Sequence, residues 1–477
     1  MNTARNRTIL ALGIALALAA GSASATNGYY THGTGTKSKA QAGAGSANPQ
    51  EVLILATNPA GIAFVPASTD AGFGFFSPMR EYRTSPGAYP PGVSPGACFG
   101  PGNCLLTIGP NEVYSKNEFF PIPFVAANWA LTDSDYLAAA FYARGGMDTQ
   151  WEGGTVTYDP SFCKAFTPQP GPPCPAPVTL PGTYGDGTAG VDLMQMFFNL
   201  SYARKFADQF SLGASAIFAF QRFEARGVSN FYPFTKTFMK SLEGGVPQLP
   251  ASLSDNGHDL SYGYGGSVGF QWNPIDMFSF AAAYTTKMSM TEFSDYEDLF
   301  AEAGDFDMPS TWTVGIAFKP NDQLAFMFDV QGIKYSDADS VANPIDSLLD
   351  GSCRPGNAEY CLGGSKGPGF GWDDMTVYKL GASWKSSDAW TWRAGYSWTE
   401  QPIPEDQMTF NILAPGVMEE HITFGFTQRM ESGNEVNLSL MYAPEKKVKG
   451  PQNFDPFQTV EFSMKQIEVE ISYSWKR

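Results

Sequence analysis

The sequence predicts an all-β protein: a transmembrane antiparallel β-barrel of about 14 strands, with an N-terminal hatch that plugs the lumen. Three observations favour this fold class. From about residue 68 onward, apolar side chains occupy every second position, with small or polar side chains between them. Short turns alternate with long loops along this region, and a segment rich in Gly, Ala and Ser without such alternation precedes it. Because successive side chains of a strand point to opposite faces, the pattern indicates strands that separate two different environments.

The N-terminal residues have the composition of a secretory signal peptide. Arg5 and Arg7 supply a basic start, residues 9–20 form an apolar stretch, and a small-residue cleavage site ends at Ala25. We therefore expect an exported protein. The predicted domains are a signal peptide (1–25), a hatch (26–67) and a transmembrane barrel (68–477).

The contrast between the two faces of a strand is clearest in residues 261–272, SYGYGGSVGFQW. Tyr262 and Trp272 fall on one face, whereas Ser, Gly and Gln fall on the other. Apolar, aromatic faces on so many strands favour lipid as their surroundings, so we expect the bacterial outer membrane as the location. The same alternation directs Glu468 and Glu470 of the last strand toward the lumen. The predicted strands are residues 68–82, 116–131, 136–147, 191–206, 209–225, 258–273, 277–293, 308–319, 323–336, 374–386, 389–400, 417–430, 434–448 and 459–475.

The connections between these strands are of two kinds. Tight turns of Asn, Asp, Pro, Ser and Gly join some pairs, and long loops join others. Short periplasmic turns and long extracellular loops are the expected asymmetry of an outer-membrane barrel. The tight turns are residues 207–208, 274–276, 320–322, 387–388 and 431–433, and the long loops are 83–115, 148–190, 226–257 and 337–373.

Charge and cysteine content exclude several other classes of function. A net charge of −17 and a pI near 4.6 argue against a nucleic-acid partner. The six cysteines fall as close pairs in Pro- and Gly-rich sequence, which in an exported chain predicts three loop disulfides. Their spacing does not match a zinc site, and neither a metal nor a cofactor is predicted. The expected pairs are Cys98 with Cys104, Cys163 with Cys174, and Cys353 with Cys361.

The segment after the signal peptide carries motifs of a known family. They are Asn27-Gly28-Tyr29-Tyr30, His32-Gly33-Thr34-Gly35, Lys37-Ser38, Ala42-Gly43-Ala44-Gly45 and Asn58-Pro59-Ala60-Gly61. Together, at the start of an exported barrel, they resemble the FadL/TodX family of outer-membrane channels for long-chain fatty acids and aromatic hydrocarbons. The resemblance implies a fourteen-stranded barrel in which these residues belong to the hatch.

The resemblance also implies a route for the ligand. In the family, extracellular loops capture the ligand at an apolar groove and pass it to an interior apolar pocket. Hatch movement then opens a lateral exit at a kinked third strand. The third predicted strand, residues 136–147, holds one pair of adjacent glycines, Gly145-Gly146. Such a pair weakens a strand ladder and permits a kink or bulge; the alternative is that it begins the following loop.

The loop at residues 226–257 is the candidate for ligand capture. Its apolar side chains are spaced as on one face of a short helix, and an exposed apolar patch of this kind is unusual. The alternative is that they pack a small core of the loop itself. The candidate residues are Phe231, Tyr232, Phe234, Phe238, Met239 and Leu242.

Four inward-facing residues are candidates for a substrate site in the lumen. The strand phase directs Phe197 and Met327 inward, although apolar side chains are out of place in a water-filled channel. It also directs Lys379 and Arg393 inward, where a cation would hold the carboxylate of a fatty acid by a charge-assisted hydrogen bond. The alternative for these cations is a network with acidic lumen residues, namely Asp329, Glu468 and Glu470.

These observations predict an outer-membrane channel for passive uptake of hydrophobic compounds, with long-chain fatty acids or related hydrocarbons favoured. We expect a monomer whose partners are the small-molecule substrate, membrane lipid and lipopolysaccharide. The alternatives are a general diffusion porin for small polar solutes and a structural or adhesin barrel. An enzyme is not predicted, since the three histidines are far apart and no G-x-S-x-G nucleophile elbow or other nucleophile setting supports a catalytic triad. Residues 33–38 lack the glycine before lysine that a phosphate loop requires.

Overall fold

Fourteen long strands form one antiparallel sheet that closes on itself. A computed structural model describes residues 27–87, 106–158 and 178–477, so the predicted signal peptide lies outside the described residues. Among the described residues, no helix is long and apolar enough to cross a membrane. The barrel strands are β1 (Ser68–Thr84), β2 (Phe120–Ala130), β3 (Asp135–Asp148), β4 (Gly190–Ala207), β5 (Phe210–Arg226), β6 (Asp259–Ile275), β7 (Phe278–Thr285), β8 (Thr311–Asn321), β9 (Leu324–Ile333), β10 (Met375–Lys385), β11 (Trp390–Trp398), β12 (Glu420–Arg429), β13 (Glu435–Gln452) and β14 (Asp455–Lys476).

The predicted barrel is confirmed, and the predicted strands differ from the observed ones mainly at their loop ends. The largest difference is the strand predicted at residues 277–293, whose regular part ends at Thr285. After a short interruption Ser289–Met290 pairs again with β6, and Met288 and Met290 pack in an apolar cluster with hatch residues. Because these two buried methionines are two residues apart, the alternation of apolar side chains in the sequence continues beyond the end of the regular strand.

Closure is completed by the first and last strands. β1 pairs along its whole length with β14, from Ser68 opposite Lys476 to Thr84 opposite Val460. Each remaining strand pairs with its neighbour in sequence. A closed sheet has no free edge, which is required in lipid because unpaired backbone groups there have no water to bind.

The two faces of the wall differ as the alternation predicts. In β6, Tyr264 is 70% exposed on the outside, whereas Ser261 and Gln271 are buried inside. In β14, Ile471 is exposed and Glu470 is buried. The outer face is therefore an apolar, aromatic surface suited to lipid, and the inner face is polar.

Tight turns lie at one end of the barrel, and the other end carries the long loops and the two-residue turn Asn453-Phe454 between β13 and β14. The loops carry small strands and helices and the disulfide Cys353–Cys361, which confirms one predicted pair. The other two predicted cysteine pairs lie outside the described residues. The small strands are Leu106–Ile108, Glu112–Tyr114, Thr155–Tyr158, Val178–Pro181 and Ser289–Met290. The loop helices are Ser229–Phe234, Lys236–Glu243, Ser294–Tyr296, Ala301–Gly304, Tyr335–Asp337, Asp339–Ala342, Ile345–Leu348, Ala358–Tyr360 and Met408–Asn411.

Residues 27–67 lie inside the barrel, as the predicted hatch would. They form one short α-helix, α1 (Thr36–Lys39), and two 3₁₀ helices, Val52–Ala56 and Pro59–Phe64. Most side chains of this segment are buried, including the polar ones. The lumen is therefore a packed interior, in which polar groups of the wall meet polar groups of the hatch.

Candidate functional site

The hatch motif at residues 58–61 starts the 3₁₀ helix Pro59–Phe64 and attaches it to the wall. The Asn58 side chain accepts a hydrogen bond from the Ala60 amide at 3.2 Å, as an N-cap residue does. The proline fits the first helical position because its missing N–H is not needed there. The Asn58 amide group also donates to the Phe270 carbonyl of β6 at 3.2 Å.

Two wall glycines make room for this motif. A Cβ atom on Gly213 of β5 would lie 2.4 Å from the Ala60 nitrogen. One on Gly269 of β6 would lie 2.3 Å from the Asn58 side-chain oxygen. Side-chain atoms cannot approach so closely, so the hatch packs here only because both wall positions are glycine.

The N-terminal tip of the hatch binds β3 near the loop end of the barrel. The Gly146 amide donates to the Tyr29 carbonyl at 3.0 Å, and the Thr31 amide donates to the Arg144 carbonyl at 2.9 Å. The Arg144 guanidinium lies over the Tyr30 ring at 4.9 Å. These bonds extend the sheet of the wall onto the hatch.

A tight turn at Gly28 holds the tip against Tyr335. Gly28 has a φ of 64°, and a Cβ atom there would lie 2.3 Å from the Tyr335 hydroxyl oxygen. That hydroxyl donates to the Asn27 carbonyl at 2.6 Å. The Tyr29 ring is fully buried and meets the Tyr335 ring edge-on at 5.1 Å. The predicted hatch residues 27–30 therefore form one buried anchor.

Two buried lysines of α1 tie the hatch to the last two strands. Lys39 Nζ lies 2.6 Å from Glu470 of β14 and also pairs with Glu468. Lys37 Nζ lies 2.6 Å from Glu435 of β13. All five side chains are buried, so breaking either pair would leave a desolvated charge.

The histidine of the hatch stacks on a wall histidine. The His32 and His421 rings lie 5.7 Å apart and are nearly parallel. The sequence separates them widely, and only closure of the barrel around the hatch brings them together. His258 lies elsewhere, in a loop, with its Nε2 2.9 Å from Asp192. Within the described ranges, no cluster of His, Cys, Asp and Glu could hold a metal ion.

The predicted apolar lumen residues, Phe197 and Met327, face inward but pack against the hatch. Phe197 stacks on Tyr142 at 5.7 Å, within a cluster that includes Val52 of the hatch. Met327 packs in a cluster with Ala44. The hatch thus fills the space beside both residues, and their role in a substrate site in the lumen stays a prediction.

The predicted lumen cations also bind the hatch. Lys379 Nζ donates to the His32 carbonyl at 2.9 Å. The Arg393 guanidinium donates to Gln50 Oε1 at 2.8 Å and to Thr427 Oγ1 at 2.7 Å. The acidic residues predicted as alternative partners of these cations bind the hatch as well. Asp329 accepts hydrogen bonds from two hatch amides, and Glu468 and Glu470 pair with Lys39. The hatch supplies partners for these inward-facing charges because it fills the lumen between opposite sides of the barrel wall.

The candidate capture residues lie on two short helices rather than one. The first is the 3₁₀ helix Ser229–Phe234, and the second is α2 (Lys236–Glu243). Thr235 between them is extended, and its hydroxyl accepts a hydrogen bond from the Phe238 amide at 3.2 Å. The spacing predicted a single helix, which is wrong because the chain breaks at this N-cap.

Both environments expected for these residues, an exposed apolar surface and a packed core, are present in the loop. Tyr232 and Leu242 are exposed, and the Tyr232 ring meets the half-buried Phe238 ring at 5.2 Å. Phe231 is buried, and Phe234 and Met239 pack against the main apolar cluster. One side of the loop is thus an apolar surface, and the other is continuous with the interior.

A neighbouring loop braces α2. The Leu362 amide, next to the disulfide, donates to the Phe234 carbonyl at 2.9 Å. Lys236 Nζ lies 3.4 Å from Glu359. Hydrogen bonds from Ser365 lower the pKa of Glu359 to about 2, so it stays ionised as a partner for the helix.

Phe231 lines an apolar cavity at the loop end of the barrel. The cavity measures about 40 Å³, enough for a few water molecules, so a larger ligand requires the side chains to move apart. Most of its wall residues were not predictable from the sequence, because they come from different strands and loops. They include Val191, Phe223, Phe300, Phe370, Phe410 and Leu413.

β3 is bulged where the sequence has its glycine pair. The register shifts between Ala143 and Gly145, opposite β4. On the other side, the ladder to β2 ends at Phe124 opposite Tyr142. Beyond that pair, β2 continues to Phe120 and β3 to Asp148 without pairing with each other; both segments lie in the described part of the chain. The pair therefore lies within the strand, beside an interruption of the wall.

Comparison with known proteins agrees with this architecture. The profile of the family described as outer membrane protein transport protein (OMPP1/FadL/TodX) matches residues 181–470. The chain belongs to this family. Its members are transport proteins of the outer membrane, which confirms the predicted family and location.

Named relatives of this FadL/TodX member include the long-chain fatty acid transport proteins of Shigella flexneri and Escherichia coli O157:H7. Each is 25% identical to it over 304 residues, which cover 57% of this chain and 66% of the relative. Solved structures with the same fold include the P. putida toluene transporter TodX, at 16% identity and a TM-score of 0.59. A Pseudomonas aeruginosa FadL homologue aligns at 14% identity, with a TM-score of 0.59. Both alignments cover 94% of this chain and 99% of the other.

Proposed function

We propose that the protein takes up hydrophobic compounds passively across the outer membrane, with long-chain fatty acids or related hydrocarbons as substrates. One observation carries the proposal: Phe231 belongs both to the capture loop and to the apolar cavity below it. An apolar compound bound at the loop surface therefore has a continuous apolar path inward. The names of the relatives, a fatty acid transporter and a toluene transporter, support the same substrate class.

The first step proposed is capture by the loop that contains α2. Besides Tyr232 and Leu242, this loop exposes Val246 and Leu249, which are 67% and 72% exposed. Burial of an alkyl chain against such a surface contributes about 0.8 kcal/mol per methylene. The surface lies at the long-loop end of the barrel, which is the side from which external compounds arrive.

The last step proposed is lateral release between β2 and β3. The interrupted ladder leaves Phe120–Pro123 of β2 facing the bulge of β3. Pro121 and Pro123 have no N–H to donate to a neighbouring strand, which favours an interruption there. The hatch tip covers the gap from inside through its bond to Gly146. Movement of the tip would expose an opening toward the bilayer.

Uptake in a deletion strain tests the proposal. Cells restored with the wild-type gene are given labelled oleate or labelled toluene, and uptake is compared with the F231A variant. We expect rescue of at least one compound, and a several-fold lower rate in F231A because the apolar path is interrupted. F218A is the matched control, since Phe218 is 62% exposed on the outer face of β5.

The possible outcomes separate the substrates and the alternatives. Rescue by oleate alone assigns fatty acids, and rescue by toluene alone assigns monoaromatic hydrocarbons. Rescue of neither, with a correctly assembled barrel, contradicts the proposal. Large ion conductance in planar bilayers would favour a general porin instead.

A further inference from the structure

A second cavity lies at the opposite end of the barrel, under the hatch. Its volume is about 860 Å³, within the range of small-molecule pockets. Four short turns form its rim, and Lys37, Asn48 and Gln50 of the hatch form its roof. Because the short turns face the periplasm, this cavity is open to the periplasm and is separated by the hatch from the apolar cavity near the loops.

The lining of this cavity is basic, although the chain as a whole carries a net charge of −17. Its cations are Lys37, Lys319, Lys385, Arg393, Arg429 and Lys476, and its anions are Asp276, Asp322, Asp388 and Glu435. Six positive and four negative groups leave an excess of two positive charges. A concave site with charges of one sign in excess attracts small ions of the opposite sign.

The positive charges are unequally neutralised. Glu435 alone serves Lys37, Arg429 and Lys476, at 2.6, 3.0 and 3.2 Å. Lys385 pairs with the fully exposed Asp388. Among the described residues, no carboxylate oxygen lies within 4.0 Å, the limit for an ion pair, of a side-chain nitrogen of Arg393 or Lys319. Among the described residues that line the cavity, Arg393 and Lys319 are therefore the two cations without a carboxylate at ion-pair distance.

Arg393 is the stronger evidence for an anion-binding site, because it is only 5% exposed. Its hydrogen-bond partners are neutral: the side chains of Gln50 and Thr427. The carboxylates of Glu51 and Glu435 act on the guanidinium only through space, without an ion pair. Because a carboxylate binds a guanidinium more strongly than an amide does, the site has the chemistry of an anion-binding position whose direct acceptors are neutral.

The rest of the lining indicates what carries the anion. Apolar side chains adjoin the basic ones and come from the hatch and from β7–β9, namely Pro66, Met277, Pro320, Leu324 and Ala325. A purely inorganic anion would gain nothing from them. We propose that this cavity binds the carboxylate of an anionic amphiphile from the periplasmic side, with Arg393 and Lys319 as its cationic partners. This site is distinct from the uptake route above, and its existence does not require that route.

Binding to the purified protein, in non-ionic detergent and in an F231A background, tests the site. The F231A background weakens binding in the other cavity. Titration calorimetry with octanoate is expected to show a site that octanol, its neutral counterpart, does not fill. Raising the salt concentration should weaken it, because exposed charges are screened.

Variants assign the site to its residues. We expect R393Q to weaken octanoate binding at least about tenfold, through loss of a charge-assisted contact, and K319Q several-fold. R204Q removes a cation at the same end of the barrel but outside the cavity, and should bind as the parent does. Circular dichroism checks folding; if R393Q does not fold, K319Q carries the test. Unchanged binding in the folded variants, equal binding of octanol, or displacement by inorganic phosphate would each overturn the proposal.

Discussion

Replacing Lys39 by methionine tests how strongly buried charge holds the hatch in the lumen. Methionine keeps the length of the side chain but leaves Glu468 and Glu470 without their cation, at 3% and 1% exposure. Removing one partner of a buried ion pair costs about 3–5 kcal/mol. Here the cost is relieved when the hatch segment leaves the wall, because water then reaches both carboxylates.

The expected size of the effect follows from that cost. Since each 1.36 kcal/mol corresponds to a factor of ten, the displaced population should rise roughly 160- to 5,000-fold at pH 8. A cysteine at Ala44, which is buried against Met327, reports displacement through its rate of reaction with a water-soluble maleimide. The labelling rate of K39M/A44C should exceed that of A44C by a comparable factor.

Two controls separate hatch displacement from general damage. K240M makes the same substitution at an exposed lysine of α2, whose partner Glu359 is also solvated, and should leave labelling unchanged. K39M/E468Q/E470Q removes both stranded charges and should restore slow labelling. Labelling of K39M/A44C within about twofold of A44C would refute the reasoning that these charges hold the hatch.

Three further predictions concern the loops and the bulge. Burial and the charge of Asp307 raise the pKa of Asp305 to about 7, so its contribution to stability is complete below the unfolded pKa of about 4 and is lost as the pH rises from there through 7. D305N should therefore melt at a higher temperature than wild type at pH 8 and at the same temperature at about pH 4, and equal differences at both pH values would contradict this. C353S/C361S should lose about 2–3 kcal/mol of loop stability, measured by thermal unfolding, because the closed loop no longer restricts the unfolded chain. G145V should lower oleate uptake several-fold while the barrel stays intact, because the added side chain would crowd the bulge. Even its Cβ atom would lie 2.5 Å from Gln195 Oε1 and 3.1 Å from the Tyr29 carbonyl oxygen. Normal uptake would place the exit elsewhere.

The sequence determined the wall of this protein. Alternation between neighbouring residues decides which side chain faces lipid, and it is visible without knowing which strands are adjacent. Tyr264 and Ile471 outside, and Glu468 and Glu470 inside, were therefore predictable. The strand ends were less so, because apolar residues such as Met288 and Met290 continue the alternation beyond the regular strand and pack on the hatch.

Only the tertiary structure decided what the inner face contacts. Lys379 and Arg393 were predicted to face inward, but their partners lie on the hatch, more than 300 residues away in sequence. The cavity at Phe231 likewise combines rings from distant loops, and the basic cavity combines four turns with the hatch. Periodicity reports the direction of a side chain relative to its own strand. It carries no information on the residue opposite, which is fixed only when the sheet closes around the segment that fills it.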